Sequence, residues 1–268
     1  MTEAISELRG NFLRSKHAIV TGGGRGLGRT IAAELAAAGA NVTVMGRASN
    51  DLESSSSDLS SRFGVDARPV QCDVTDEDSI SVAFASATDA MGPVHILVNN
   101  AGQARSAPFA ETALDMWRHT LDVNLTGSFL CTKAVLPEMM RSLNGRIVNV
   151  ASTAALRGYS GLSAYCASKH GVLGMTRAIA LEVAKLGITV NAVCPGYTEG
   201  GMSDQAIKAI MTHRNVGADE ALTILTRNNP LRRLTTQEEV ATTVAWLCSP
   251  DSSAITGQAI AVAGGEVM

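Results

Sequence analysis

The sequence predicts an α/β fold: a doubly wound, seven-stranded parallel sheet forming a single domain over residues 1–268. Three observations predict it. Short β-branched apolar runs recur along the chain, amphipathic segments of helical length separate them, and a glycine-rich turn joins the first run to the first such segment. A chain of 268 residues is near the upper end of what one core supports, and α/β sheets of this size commonly form one unit.

The seven runs are His17–Thr21, Asn41–Met45, Arg68–Cys72, His95–Asn99, Arg146–Ala151, Ile188–Cys194 and Gln258–Val262. Their nearly non-alternating character predicts burial on both faces. Ile31, Leu35 and Ala38 mark one face of the first helix, which Gly39 ends; Asp76–Met91 and Ser163–Leu186 read as further helices. Ser54–Ser57 reads as a solvated turn of the helix after the second strand. Residues 200–229 interrupt the alternation with mixed polarity directly after a strand, where open α/β sheets bind ligands, and so read as a substrate lid. Residues 1–15 form an N-terminal extension, and the apolar Ala261–Met268 is expected to dock on the body or on a neighbour.

With 46% hydrophobic and 18% charged residues and a net charge of -3, the composition argues against nucleic acid or anionic membrane as a partner. Cys72, Cys131, Cys166, Cys194 and Cys248 are widely spaced, with no metal-ligand pattern, so no metal is expected. The first sixteen residues lack a secretory apolar run and no stretch is long enough to span a bilayer, which predicts a soluble, cytoplasmic protein.

Thr21-Gly22-Gly23-Gly24-Arg25-Gly26-Leu27-Gly28 follows the first strand and opens the first helix. Backbone without Cβ approaches a pyrophosphate closely, and the helix N-terminus offers free N–H groups to its charge. A glycine-rich turn is weak evidence alone, but the strand-turn-helix context it requires is present. Further on, Tyr165 and Lys169 stand four apart on one helix face, with Ser152 at the end of the fifth strand and Asn124 in the helix after Asn99-Asn100-Ala101-Gly102.

The glycine spacing, Cys72-Asp73-Val74, Asn99-Asn100-Ala101-Gly102 and Pro195-Gly196 together resemble the short-chain dehydrogenase/reductase family over nearly the whole chain. The resemblance implies a Rossmann fold and a nicotinamide dinucleotide held by Gly22, Gly24, Arg25, Gly26, Leu27, Gly28, Arg47, Asp73, Val74, Asn100, Ala101, Gly102, Tyr165, Lys169, Pro195, Gly196 and Thr198. It also implies a catalytic tetrad of Asn124, Ser152, Tyr165 and Lys169. Tyr165 would transfer the proton, made more acidic by the Lys169 ammonium; Ser152 would bond the substrate oxygen; Asn124 would hold a water that relays protons. The family often carries Thr where this chain has Gly200; either Thr198 substitutes for it or that contact to the nicotinamide is absent.

At the end of the second strand Gly46-Arg47 offers a cation and no carboxylate, and Arg25 stands in the glycine turn. Arginine suits a phosphate, so NADP(H) is preferred, with NAD(H) as the other choice. The stretches Ser152–Tyr165, Asn191–Met202 and Gly257–Met268 look most like ketoreductases of 3-oxoacyl thioesters, carried on CoA, acyl carrier protein or a polyketide. Arg105, Arg157, Lys208 and Arg214 would meet the anionic carrier. Two alternatives stand beside this: a dehydrogenase of a free secondary, cyclic or sugar alcohol, and a non-catalytic dinucleotide-binding regulator. By likeness to the family, the chain is expected to form a homotetramer through the helices carrying Asn124 and Tyr165 and through the last strand.

Overall fold

The computed structural model describes residues 10–268. Seven parallel strands, β1 (His17–Thr21), β2 (Asn41–Gly46), β3 (Ala67–Gln71), β4 (Ile96–Asn99), β5 (Gly145–Val150), β6 (Ile188–Pro195) and β7 (Ala259–Val262), form one sheet in the order β3-β2-β1-β4-β5-β6-β7. Every expected run is a strand, displaced by no more than one residue at either end. The strand order reverses between β1 and β4, which opens a crevice at the carboxyl ends of these strands.

Nine α-helices occur among the described residues: α1 (Gly26–Ala37), α2 (Ser49–Phe63), α3 (Glu77–Met91), α4 (Leu114–Leu121), α5 (Gly127–Ser142), α6 (Ser163–Val183), α7 (Gly201–Arg214), α8 (Ala218–Thr226) and α9 (Gln237–Cys248). Strand pleating sends alternate residues to opposite faces. Ala18 and Val20 of β1, with Ile96 and Val98 of β4, meet Ile31 and Leu35 of α1, Leu52 and Leu59 of α2, and Val240 and Val244 of α9. Ile19, Leu97, Ile147 and Val190 turn the other way, onto Phe84 of α3, Val135 and Met139 of α5 and Val183 of α6. Helices therefore cover both sides of the sheet.

Burial on both faces fails at the edge. In β3, Arg68, Pro69 and Gln71 are exposed, because only β2 flanks that strand. A proline lacks the N–H that a central strand needs, and it is tolerated at an edge. Residues 10–15 of the expected N-terminal extension lie against the end of α1: Leu13 is buried and its N–H donates to Ala38 O at 2.9 Å. Residues 1–9 fall outside the described residues.

A buried polar chain links β4, β5 and α6. Asn99 Nδ2 donates to Asn149 Oδ1 at 2.8 Å, between residues paired in register on β4 and β5, and Asn149 Nδ2 donates to Thr176 Oγ1 on α6 at 2.8 Å. All three side chains are buried. The expected lid region holds α7 and α8. Gly200 (φ +88°) precedes α7, and its backbone lies against Gln237, whose Nε2 donates to Glu199 O at 2.9 Å. No described helix is long and apolar enough to cross a membrane.

Candidate active site

The crevice floor is the turn after β1. Gly22 takes φ +67°, a conformation that L side chains avoid. Gly28 is required by close approach, since a Cβ there would stand 2.1 Å from Gly22 O and 2.5 Å from Asn100 Nδ2. Arg25 precedes α1 in extended conformation, with no side chain capping the helix, so the first-turn N–H groups face outward past Gly26, where a Cβ would meet nothing within 4 Å. Leu27 packs on the core and Gly24 lies against Asp51 of α2. These features fit a bound pyrophosphate: an open, uncapped helix N-terminus fronted by backbone without side chains.

Two further contacts fix this turn. Thr21 Oγ1 accepts from the N–H groups of Asn100 and Ala101, each at 3.0 Å, while Asn100 Nδ2 donates to Thr21 O at 2.9 Å. Ser55 Oγ donates to Gly23 O at 2.9 Å. The expectation of a solvated Ser54–Ser57 patch is thus corrected: Ser55 and Ser56 face the core side of α2 and are buried, and Ser55 holds the glycine turn. Neither Thr21 nor Ser55 carried a signal of this role in the sequence, because both partners are backbone carbonyl or amide groups distant along the chain.

Around the crevice, Arg47 is exposed at the end of β2, and Arg25 is 86% exposed with Nη1 4.0 Å from Asp51. Asp73 accepts through Oδ1 from Thr75 N–H at 3.0 Å and from Thr75 Oγ1 at 2.8 Å, bonds that hold its carboxyl below the usual range. Val74 is packed against Gly127 at the start of α5.

The tetrad residues gather beside the Asn99–Gly102 turn. A Cβ on Gly102 would lie 3.2 Å from Asn124 Oδ1 and 3.5 Å from Lys169 Nζ. Asn124 sits in a π-helical turn (Asp122–Thr126) between α4 and α5, the type of bulge often found at functional sites. Its amide accepts from Gln103 N–H at 2.9 Å and donates to Gln103 O at 2.9 Å and to Ser168 Oγ at 3.0 Å. These bonds fasten the loop after β4 to α6.

Ser152 follows β5, accepts through Oγ from Ala154 N–H at 3.1 Å and stands near enough to the Tyr165 phenol to favour its charged form. Lys169 is buried, donates from Nζ to Val150 O at 2.8 Å and lies 5.7 Å from the centroid of the Tyr165 ring. Burial, only partly offset by Ser152, pushes the Tyr165 phenol up to about 12. Burial likewise pulls Lys169 down to about 8. The expected acidification of the phenol by the ammonium is thus outweighed among the protein's own groups: desolvation disfavours charge on both residues, and Nζ is directed at a carbonyl.

Pro195 and Gly196 end β6 in the same crevice, and Thr198 Oγ1 donates back to Gly196 O at 3.2 Å. Arg157 is half-buried and stacks on Tyr159, 4.6 Å from its ring centroid; Arg105, Lys208 and Arg214 are exposed. Among the described residues no group of three or more His, Cys, Asp or Glu is placed to hold a metal.

The family model described as short chain dehydrogenase matches residues 16–210. The chain belongs to the short-chain dehydrogenase/reductase family. It is similar to the 3-oxoacyl-(acyl-carrier-protein) reductase FabG of Vibrio cholerae, at 39% identity over 96% of this chain and 99% of that protein. The enzyme of the same name from Aquifex aeolicus is 37% identical over 94% of this chain and 98% of its own length. A single-residue variant of the actinorhodin polyketide ketoreductase, solved with NADPH, superposes with a TM-score of 0.90 at 40% identity, covering 94% of this chain and 97% of that one. As a short-chain dehydrogenase/reductase the chain is an oxidoreductase of the C=O/CH–OH couple that uses a nicotinamide dinucleotide, and the alternative of a non-catalytic regulator falls away.

Proposed function

We propose that the chain is an NADP(H)-dependent ketoreductase interconverting a ketone and a secondary alcohol, and that its substrate is a 3-oxoacyl thioester on CoA, acyl carrier protein or a polyketide carrier. The observation that carries this is the convergence of Ser152, Tyr165 and Lys169, with Lys169 buried beside the Tyr165 ring and next to the Gly102 turn.

The nicotinamide, when bound, supplies or removes the hydride. Ser152 and Tyr165 present two hydroxyls at one point, so a carbonyl oxygen placed there meets two donors as negative charge grows on it. Burial keeps the phenol protonated at neutral pH, which is the form needed to deliver a proton during reduction. Lys169, by its charge, stabilises the phenolate left behind, and we assign its ammonium to the ribose as well. Asn124 holds Gln103 and Ser168, and through them the face of α6 from which Tyr165 and Lys169 project. Gly22, Gly24, Arg25, Gly26, Leu27 and Gly28 would cradle the pyrophosphate. Asp73 and Val74 would flank the adenine, Asn100, Ala101 and Gly102 the adjoining ribose, and Pro195, Gly196 and Thr198 the nicotinamide.

NADP(H) over NAD(H) is supported by Arg47, exposed where β2 ends without a carboxylate, and by Arg25. Its ion pair with Asp51 is a solvent-exposed contact of little strength. The NADPH of the solved ketoreductase agrees with this choice. The thioester class is supported by the names of the reductases of V. cholerae and A. aeolicus. A single domain over 1–268 with a lid at 200–229, a cytoplasmic setting and a homotetramer complete the proposal; Phe129 of α5 and Leu181 of α6 are exposed apolar residues suited to an interface.

Steady-state rates with acetoacetyl-CoA and a panel of secondary, cyclic and sugar alcohols, each with both nucleotides, test the proposal. Turnover of the thioester with NADPH, abolished by Tyr165→Phe, is expected. Preference for a free alcohol would replace the thioester, and an Arg47→Asp variant that still prefers NADPH would remove the phosphate assignment.

A further inference from the structure

The segment after β7 reaches back over the connection between β5 and α6. Thr153, the residue next to Ser152, is buried, and its Oγ1 lies 2.7 Å from the Tyr159 hydroxyl. That hydroxyl donates to Glu266 Oε1 at 2.7 Å. A carboxylate only accepts and each hydroxyl has one proton, so the direction of the whole chain is set: Thr153 donates to Tyr159, and Tyr159 to Glu266. Burial raises the Tyr159 phenol, which keeps it a donor. Glu266 is itself held on two sides. Arg157 Nη1 approaches its carbonyl oxygen at 3.5 Å while stacking on Tyr159, and its Oε2 lies where a Cβ on Gly196 would come within 3.2 Å.

We infer that Glu266 is a positioning residue for the Ser152–Tyr159 loop, acting through Tyr159 and Thr153 to fix where the Ser152 hydroxyl meets the substrate oxygen. Being charge-assisted, the Tyr159–Glu266 bond is the strongest link of this chain. The inference rests on the proposed reaction for its kinetic consequence but not for its structural one.

Three variants test it, Glu266→Ala, Glu266→Gln and Tyr159→Phe, each checked for native circular dichroism. Hydrogen exchange of the amides between Ser152 and Leu162 should quicken about tenfold in Glu266→Ala and in Tyr159→Phe, the scale of one lost charge-assisted bond. It should stay near wild type in Glu266→Gln, whose amide oxygen still accepts. Ketone reduction should lose about tenfold in kcat in the first two with KM for the nucleotide unchanged, recover in Glu266→Gln, and fall no further in the Glu266→Ala/Tyr159→Phe double variant. Unchanged exchange in this loop overturns the inference whatever the substrate proves to be. So do additive losses in the double variant, or a rise in nucleotide KM equal to the fall in kcat. If Glu266→Ala fails to fold, Tyr159→Phe and Glu266→Gln decide alone. A wild-type enzyme that ignores every ketone would fault the proposed reaction, and the exchange result would still judge Glu266.

Discussion

Lys169 donates from Nζ to the carbonyl oxygen of Val150 at 2.8 Å, tying α6 to the last residue of β5, two positions before Ser152. The same bond that spends one of the ammonium's three donors holds the serine strand against the tyrosine helix. Lys169→Met should therefore both slow proton transfer, by about a hundredfold in kcat, and weaken nucleotide binding. A variant with intact NADPH affinity would show that the lysine serves the phenol alone.

Without nucleotide, Tyr165 should remain a neutral phenol through the physiological range, since its value is raised to about 12. A raised value means that the base form is scarce at neutral pH. The wild-type minus Tyr165→Phe difference in phenolate absorbance should thus stay flat until well above ~10, the ordinary tyrosine value. A step near neutrality would mean that Lys169 dominates burial after all.

Ser55→Ala removes the donor to the Gly23 carbonyl at a fully buried serine. Leaving that oxygen unpaired costs about 1–3 kcal/mol. The melting temperature should fall and the Kd for NADPH should rise together, because the freed carbonyl belongs to the glycine turn. Loss of stability without loss of affinity would confine Ser55 to a packing role.

Gly28→Ala should fail more severely. Its Cβ would stand 2.1 Å from the Gly22 carbonyl, so turn and helix must separate. No NADPH binding is expected in titration by nucleotide fluorescence, even if soluble protein is recovered.

Glu239 closes the capping box of α9 with Thr236 and meets Arg233 at 2.6 and 2.8 Å, which pulls its carboxyl down to about 2. A carboxyl lowered on folding stabilises the fold above its unfolded value and loses that contribution as pH falls toward 2. The group is exposed, which limits the effect. Glu239→Gln should lower Tm by about 2 °C at pH 7, with the gap closing in scans between pH 4.5 and pH 2. A gap that persists at the acid end would assign the loss to geometry.

All seven strands could be located from β-branched runs bounded by turns, because parallel strands buried between helices leave a strong local signature. What composition could not convey was neighbourhood. The run containing Arg68 and Pro69 resembles the others until the sheet order places it at an edge. Tyr165 and Lys169 were legible as a pair from their spacing of four, yet the spacing says nothing about desolvation, so the direction of the phenol's shift came out opposite to the one expected. Ser55 and Glu266 were invisible for a different reason. Each meets a partner more than thirty residues away, through a contact that no periodicity marks.

The Asn99–Asn149 bond works like the key in a shaft. Paired strands of identical pleat can slide by two residues and still turn hydrocarbon inward, but sliding here would break the bond between two buried amides. Because Asn100 and Ser152 are the outward continuations of these two strands, the alignment between nucleotide floor and proton-donating wall is decided in the interior, before either side of the crevice is built.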